Sequence, residues 1–492
     1  MKSVIVIGSG FAGLSSATFL AKAGYDVTVL EKNDSLGGRA RVWETEGFKF
    51  DMGPSWYWMP DVFERYFKSF GYEVPDLYKL VRLDPSYRVV FGPNDYEDQS
   101  ANMAELEAMF DRLDPGSSKR LRKFLAEAAY KYEVGIKDLV HKPSRSLLEF
   151  ADFRILKGLF QLDLLKDMRK HVAEVSAHPK LKAIMEFPVL FLGALPQNTP
   201  ALYSLMNYAD MSMGTWYPQG GMHKIIEAMV KVAKEQGVKF RTKAEVNGFK
   251  YSGKKIVGVL TKTGGFSADI VVAGADYHHI DQKVSDEGLR EYSEQYWDKR
   301  KMAPSSLLYY LGIKGEVPNV LHHNLFFDHE LDQHAAELYT HPQWPSKPLF
   351  YASVPTKTDK SIAPDGCENM FLLMPTAPGL AGDSDEVREK YYNIMMDRLE
   401  QFTSSSIRNR VVVKRSFAYS DFKSEYNSFK GNAYGLANTL DQTAILKPRL
   451  KSKKINNLYF AGQLTTPGPG VPPTLISGEV VSKEIVKDFK LK

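Results

Sequence analysis

Three glycines near the N-terminus have the spacing that a phosphate-binding turn requires. Gly8, Gly10 and Gly13 form G-x-G-x-x-G between a β-branched run and a segment with apolar residues at helical spacing. Gly8 permits a tight turn, Gly10 lets the backbone approach a pyrophosphate, and Gly13 lets helix and strand pack closely. The start of that helix supplies a positive field for the diphosphate. We therefore predict a dinucleotide site at this turn.

Charged residues follow the turn at positions where they can bind the rest of a dinucleotide. A second predicted strand ends at Glu31, whose carboxylate can accept hydrogen bonds from ribose hydroxyls. The sequence GGRAR comes next, with Gly38 and Arg39 placed so that backbone N–H groups and a guanidinium can face an anion. Alone, GGRAR would equally suit a solvated basic turn. The glycines lie in a segment with the order strand, helix, second strand and acid. This order favours a dinucleotide site over the alternative that the glycines only form a tight turn.

Rigid apolar side chains are concentrated shortly afterwards, in FDMGPSWYWMP from residue 50. Prolines prevent this stretch from being a long helix or a central strand. Its four large residues are Trp56, Tyr57, Trp58 and Met59. They suit either the wall of an apolar ligand tunnel or the packing of a domain junction, and the sequence alone favours neither.

The elements that position these residues belong to a folded chain of ordinary composition. A length of 492 residues exceeds what one core usually spans, which predicts two domains. The net charge of +5 gives no argument for nucleic acid as a partner. A single cysteine, Cys367, excludes an intrachain disulfide and a multi-cysteine metal site, and it favours a reducing cytoplasm. The histidines show no ligand spacing, so no metal site is expected.

Two further patterns bear on membranes. The glycines interrupt the apolar N-terminus, which argues against a signal peptide. No run of about 18 apolar residues occurs, so no spanning helix is expected. Residues 150–170 combine an apolar face with basic flanks, which is typical of an interfacial helix and also of a surface helix that packs on a core.

Taken together, G-x-G-x-x-G, the acid and G-G-R resemble the FAD signature of the amine oxidase and phytoene desaturase superfamily. The resemblance implies that FAD is held by two further segments. Residues 215–276 resemble the second, in which the residue at Val246 meets the adenine through its backbone. NNLYFAGQLTTPGPGVPPTLISG from residue 456 resembles the third and includes Gly462, Gln463 and Val471. Gln463 stands where relatives often have an acid, which leaves the ribityl contact open.

Within that superfamily, TPGPGVP and DMGP most resemble the bacterial-type carotenoid desaturases, the phytoene desaturase group. The implied fold is α/β: a Rossmann-like FAD-binding domain assembled from three chain segments, an α+β substrate domain, and a helical region that docks on a membrane. The predicted bounds are 1–76, 214–285 and 455–492 for the FAD-binding segments, 77–213 for a substrate-binding and helical, membrane-facing region, and 286–454 for the substrate domain.

The resemblance also implies an activity. The expected enzyme introduces conjugated double bonds into a C40 carotenoid, phytoene towards lycopene, by hydride transfer to flavin N5 and loss of a proton. Such a hydrocarbon has no polar group to bind, so residues 56–59 would form a tunnel wall. Family likeness suggests Glu149, Asp152 and Arg154 as catalytic candidates, although each also suits a solvated helix surface. The expected location is peripheral, on the inner face of the membrane, with quinone or oxygen as the electron acceptor.

Other functions share these motifs. A later-step carotenoid desaturase, or an isomerase or saturase, would differ in its products. A flavin amine oxidase would oxidise polyamines. GDP dissociation inhibitors share the fold as prenyl-protein binding modules without FAD, but Gly10 and the intact G-G-R argue against that class.

Overall fold

A computed structural model describes residues 1–146, 149, 166–190 and 193–491 of the chain. Its strands are β1 Ser3–Ile7, β2 Asp26–Leu30, β3 Val42–Thr45, β4 Phe48–Asp51, β5 Leu80–Arg82, β6 Tyr87–Gly92, β7 Asp95–Gln99, β8 Trp216–Pro218, β9 Lys239–Arg241, β10 Val246–Ser252, β11 Lys255–Thr261, β12 Gly264–Ser267, β13 Ile270–Ala273, β14 Ser305–Lys314, β15 His323–Phe326, β16 Phe350–Ser353, β17 Cys367–Thr376, β18 Val411–Phe417 and β19 Leu458–Phe460. The α-helices of five or more residues are Phe11–Lys22, Pro60–Lys68, Met103–Leu113, Ser117–Tyr132, Met168–Ala173, Pro179–Leu190, His223–Glu235, Glu294–Asp298, Leu331–Tyr339, Asp385–Thr403, Tyr419–Tyr426 and Val471–Asp488.

The first strand lies at the centre of a five-stranded parallel sheet with the order β19-β13-β1-β2-β9. Its apolar residues 4–7 are buried, as expected for a strand covered on both faces. Strands β1 and β2 come from the N-terminal segment, β9 and β13 from residues 214–285, and β19 from the C-terminal segment. One parallel sheet therefore draws strands from all three of the segments that the sequence singles out.

A second, seven-stranded sheet has the order β18-β14-β17-β16-β15-β6-β7. Its neighbours are antiparallel except for β15 and β6, which run parallel. Strands β6 and β7 come from the predicted substrate-binding and helical region 77–213, which therefore contributes strands as well as helices. YRVVFG in β6 is rich in β-branched and aromatic residues that favour a strand.

The chain passes from the glycine turn to the second sheet through the hairpin of β3 and β4. A Cβ placed on Gly312 of β14 would lie 2.8 Å from the ring of Phe48, so the hairpin packs closely on that sheet. A Cβ placed on Gly53 would lie 2.4 Å from the carbonyl oxygen of Arg39. Residues 39–56 thus connect GGRAR to the large sheet over a short distance.

The sequence predicts a C-terminal helix from Leu475 onward, and in the structure this helix spans Val471–Asp488 and so begins four residues earlier. Pro472 and Pro473 lie in its first turn, where a missing N–H breaks no helical hydrogen bond. The helix packs tightly on the first helix, because a Cβ at Gly478 would lie 2.4 Å from the carbonyl oxygen of Ala12. Among the residues that the structure describes, no helix is long and apolar enough to cross a bilayer.

Candidate active site

The N-terminal glycines have conformations and clearances that suit a phosphate-binding turn. Gly8 has a φ of +92°, and a Cβ at Gly13 would lie 2.0 Å from the carbonyl oxygen of Gly8. A Cβ at Gly10, in contrast, would meet no described heavy atom within 4 Å. Gly38 closes one side of this space, since a Cβ there would lie 3.3 Å from Cα of Gly10. The turn is therefore closely packed at Gly8 and Gly13 and open at Gly10, where the backbone must contact a diphosphate.

Glu31 lies at the end of β2, and its side chain is 4% exposed. Its Oε2 accepts hydrogen bonds from the backbone N–H of Ser9 at 2.9 Å and from the Ser9 hydroxyl at 2.6 Å. Its Oε1 accepts from the N–H of Asn33 at 2.9 Å. The N–H of Gly37 donates to the Ser9 hydroxyl oxygen at 3.1 Å. This carboxylate and Ser9 therefore tie the glycine turn to GGRAR.

Arg39 and Gln463 meet although they come from the first and third segments. With the amide of Gln463 oriented to satisfy its neighbours, its oxygen accepts from Nη1 of Arg39 at 3.3 Å and from Nη2 at 3.1 Å. Nη2 also donates to the hydroxyl of Ser428 at 3.1 Å. Burial lowers the pKa of Arg39, and attraction to Asp276 opposes this. Its buried Nε has no partner among the described residues, so an oxygen of the expected FAD would satisfy it.

The other predicted cofactor residues lie near the same sheet edge. Val246 opens β10, and the N–H of nearby Ala244 donates to the backbone oxygen of Glu31 at 2.8 Å. Gly462 follows β19, and Val471 begins the C-terminal helix. Contacts therefore join residues of the first segment to the second and the third, and the open space at Gly10 and the unpartnered Nε of Arg39 are compatible with a bound dinucleotide. Their individual roles in binding FAD remain predictions.

Trp56 lies in an aromatic cluster that the hairpin brings to the large sheet. The cluster consists of Trp56, Trp58, Tyr87, Phe187, His323 and Tyr351. The rings of Trp56 and His323 stack with centroids 4.1 Å apart and an interplanar angle of 12°. Trp56 is half-buried, whereas Tyr57 is 0%, Trp58 7% and Met59 3% exposed. Of the predicted tunnel residues, Trp56 therefore has the most surface available to a ligand.

The polar atoms of the buried tunnel residues already form hydrogen bonds within the protein. The hydroxyl of Tyr57 bonds to that of Tyr78 at 2.8 Å. Nε1 of Trp58 donates to the hydroxyl oxygen of Thr215 at 2.8 Å. What these side chains present to their surroundings is therefore mainly ring surface.

Asp210 is a buried carboxyl that hydrogen-bonds to Tyr87 of the aromatic cluster and to Thr215. It accepts from the hydroxyl of Tyr87 at 2.7 Å and from that of Thr215 at 3.3 Å, and it is 2% exposed. Burial raises its pKa to about 7, while the two hydrogen bonds act in the opposite direction. Because the folded-state pKa exceeds the unfolded value of about 3.9, the stability that this group contributes is present at low pH and is lost as the pH rises through about 7.

His323 is fully buried and is held at one ring nitrogen only. Its Nδ1 and the hydroxyl of Tyr351 are 2.5 Å apart. Nε2 is buried and has no partner within the described part of the chain. Burial lowers the pKa of His323 well below its usual value, so the ring is neutral near pH 7. Neither Asp210 nor His323 belongs to a sequence motif; a lone acid in the apolar stretch NYADMSMGTW was the only available signal.

The three catalytic candidates have different outcomes. Glu149 is partly buried, and its Oε1 accepts from the backbone N–H of Arg145 at 2.9 Å. The guanidinium of Arg145 in turn pairs with Glu484 at 2.6 Å, in the C-terminal half of the last helix and about 20 Å along it from Val471. Asp152 and Arg154 lie outside the described residues, as does most of the predicted interfacial helix 150–170. Catalytic and membrane-docking roles for these residues remain predictions.

Comparison with known proteins extends over almost the whole chain. The family described as flavin containing amine oxidoreductase matches residues 11–486. A carotenoid 3,4-desaturase of Haloarcula japonica is 40% identical over 492 residues, which cover 99% of each chain. A zeta-carotene-forming phytoene desaturase of Myxococcus xanthus is 30% identical over 99% of this chain and 94% of its own.

A solved structure gives a similar picture of the fold. Wild-type putrescine oxidase bound to putrescine aligns with a TM-score of 0.64 over 99% of both chains. Its sequence identity is 14%, so this similarity establishes the fold and carries no argument about the substrate. The expected α/β flavoprotein fold is confirmed at this level.

Proposed function

This chain belongs to the flavin containing amine oxidoreductases and, among them, to the carotenoid desaturase family, and we propose that it desaturates a C40 polyene. It is an FAD-dependent oxidoreductase. The observation that carries the substrate class is the aromatic cluster around Trp56, three of whose rings, those of Tyr87, His323 and Tyr351, belong to strands of the large sheet.

The residues proposed to hold FAD have distinct tasks. Gly8, Gly10 and Gly13 bring backbone and helix start to the diphosphate, and Glu31 binds ribose hydroxyls. Arg39 satisfies an oxygen of the cofactor through its buried Nε. When bound, FAD supplies the acceptor for the hydride that leaves the substrate.

The aromatic cluster suits a hydrocarbon because its polar atoms are largely engaged within the protein. Tyr87 donates to Asp210, and Trp58 donates to Thr215. Burial of a polyene against the remaining ring surface is favourable by about 25 cal/mol per Å². Flat rings such as those of Trp56 and His323 also match the flat shape of a conjugated chain.

The second hydrogen leaves the substrate as a proton, and we assign its acceptor to Nε2 of His323. In the neutral ring, the tautomer with a proton on Nδ1 donates to Tyr351 and leaves the Nε2 lone pair available. A carbon next to a carbon that has lost hydride is strongly acidic, so a nitrogen of lowered pKa is basic enough. The electron pair of that C–H bond becomes the new double bond.

The relatives favour one step over another. The higher identity is to a 3,4-desaturase, so we propose desaturation of a polyene that is already conjugated, with the phytoene-to-lycopene conversion as the second candidate. A C40 hydrocarbon resides in bilayers, so the chain would associate peripherally with a membrane to reach it. Quinone and oxygen are the two acceptors to be compared.

We expect the FAD-loaded protein to convert lycopene in liposomes to a product that absorbs at longer wavelength. The assay would run without oxygen, with a quinone as acceptor, and would resolve pigments by chromatography with spectra. Phytoene and putrescine would be offered in parallel. Conversion of phytoene alone would select the second candidate, and oxidation of putrescine without any change in pigment would contradict the proposal in favour of an amine oxidase.

Replacement of His323 by Phe should slow turnover by about 100-fold or more, since a positioned proton acceptor contributes about 10²- to 10⁴-fold. Phe keeps a ring to stack on Trp56 but has no nitrogen. His322→Phe is the matched control, because Nδ1 of His322 already bonds to Thr358 at 2.7 Å. FAD content should be retained in both, and each variant should melt at a somewhat lower temperature because each loses one buried hydrogen bond. Equal turnover in the two variants would show that His323 only packs.

A further inference from the structure

A buried amine lies against the loop that leads into the C-terminal helix. Lys447 is 4% exposed, and its Nζ donates to Oδ1 of Asn438 at 2.7 Å. A Cβ placed on Gly468 would lie 2.8 Å from this Nζ. Glycine at 468 therefore leaves the space that the amine fills beside the backbone of TPGPGVP.

Lys447 has hydrogen-bonding capacity that the protein does not use. An ammonium has three N–H groups, and Asn438 accepts one. Within the described residues no carboxylate pairs with the amine, and burial lowers its pKa to about 7. The hydroxyl of nearby Thr466 is also buried without a partner among those residues. Such groups are costly unless a further ligand accepts their hydrogen bonds.

The start of the C-terminal helix lacks most of the hydrogen-bond donors that an anion bound there would need. A helix N-terminus provides a positive field and normally a set of free N–H groups. Pro472 and Pro473 have no N–H, and the N–H of Thr474 already donates to Gly470 at 3.0 Å. The field is therefore retained while most donors are missing. Lys447 lies beside Gly468, two residues before the Gly470 that precedes this helix, so its amine is a candidate to supply charge and hydrogen bonds to an anion there.

The polyene cannot be that anion, because a hydrocarbon has no acceptor. FAD can, since the oxidised flavin ring is neutral and gains negative charge when it accepts a hydride. We propose that Lys447, together with the start of the C-terminal helix, stabilises the negative charge of the reduced flavin ring. The inference rests on the proposed function in placing FAD against all three segments. It makes Lys447 a residue that sets the reduction potential, separate from those that bind the diphosphate and ribose.

The test is the midpoint potential of bound FAD, measured by equilibration with a reference dye in the absence of any carotenoid. For Lys447→Met we expect the equilibrium constant for reduction to fall about 10- to 100-fold, or roughly 30 to 60 mV, as for loss of a charge-assisted hydrogen bond. Lys454→Met, at an exposed position, should leave the potential unchanged. Lys447→Arg keeps a positive charge at this position, so its midpoint potential should lie closer to that of the wild type than the potential of Lys447→Met does.

Two results would overturn the inference. One is an equal midpoint potential in the wild type and Lys447→Met, and the other is loss of oxidised FAD from that variant, which would make the amine a general binding group. If Lys447→Met fails to fold, Lys447→Gln keeps a polar side chain without charge, and the same drop in potential is expected. Because no carotenoid enters this measurement, a shifted potential in a protein that converts no polyene would refute the proposed function and leave the role of Lys447 intact.

Discussion

Gly10→Ala should yield a folded chain that has lost most of its FAD. Gly10 has φ −69° and ψ 177°, which alanine adopts without strain, and its Cβ would meet no described heavy atom within 4 Å. The methyl group would instead occupy the space into which the diphosphate must approach. Displacing a phosphate from its donors and adding a steric clash should weaken FAD binding by about 100-fold or more. Flavin absorbance per chain after desalting measures the effect.

Whereas Gly10→Ala should fold and lose FAD binding, we expect folding to fail in the matched variant, Gly13→Ala. Its Cβ would lie 2.0 Å from the oxygen and 3.1 Å from the carbonyl carbon of Gly8, both of them backbone atoms. The first helix must therefore move off the sheet, and we expect little soluble folded protein. Melting of the FAD-free chains separates the two cases. Full FAD retention in Gly10→Ala, or an unchanged melting temperature in Gly13→Ala, would contradict this assignment of the turn.

The sequence predicts this turn well because its determinants are local. Strand, glycines and helix follow one another within about 20 residues, and close backbone contacts in the turn require Gly8 and Gly13. Glu31 is likewise fixed by its place at the end of β2. The C-terminal helix begins four residues before the predicted Leu475, because prolines in a first turn break no helical hydrogen bond.

The surroundings of Trp56 could not be predicted in the same way. Its stacking partner, His323, lies 267 positions along the chain and reaches it only through the pairing of β15 with its neighbours in the large sheet. Tyr87 and Asp210 also meet through the tertiary fold. Strand register over such separations depends on packing of whole sheets, which no local pattern records. Lys447 was missed for a related reason, since burial of one lysine leaves no trace in its neighbours.

Trp56→Ala and Trp58→Ala should have different consequences, because the two side chains differ in burial. Trp58 is 7% exposed and bonds to Thr215, so its truncation should reduce the free energy of unfolding by about 3 to 5 kcal/mol. Trp56 is half-buried, and its loss should cost less stability. It is also the least buried of the four predicted tunnel residues and so has the most surface to contact a polyene. Trp56→Ala should therefore release partly desaturated products or slow turnover as the substrate slides out of register.

Denaturant unfolding of both variants, alongside chromatography of their pigments, distinguishes a tunnel wall from a domain junction. Trp56→Phe is the control, since it keeps an aromatic face toward His323 and should preserve the product pattern. A junction would make both alanine variants unstable and leave the products of the surviving protein unchanged. If Trp56 forms part of a tunnel wall, Trp56→Ala should instead have near-normal stability and altered products. If Trp56→Ala converts the polyene as the wild type does, the aromatic cluster only packs the chain around Trp56 onto the large sheet, and the substrate must lie elsewhere.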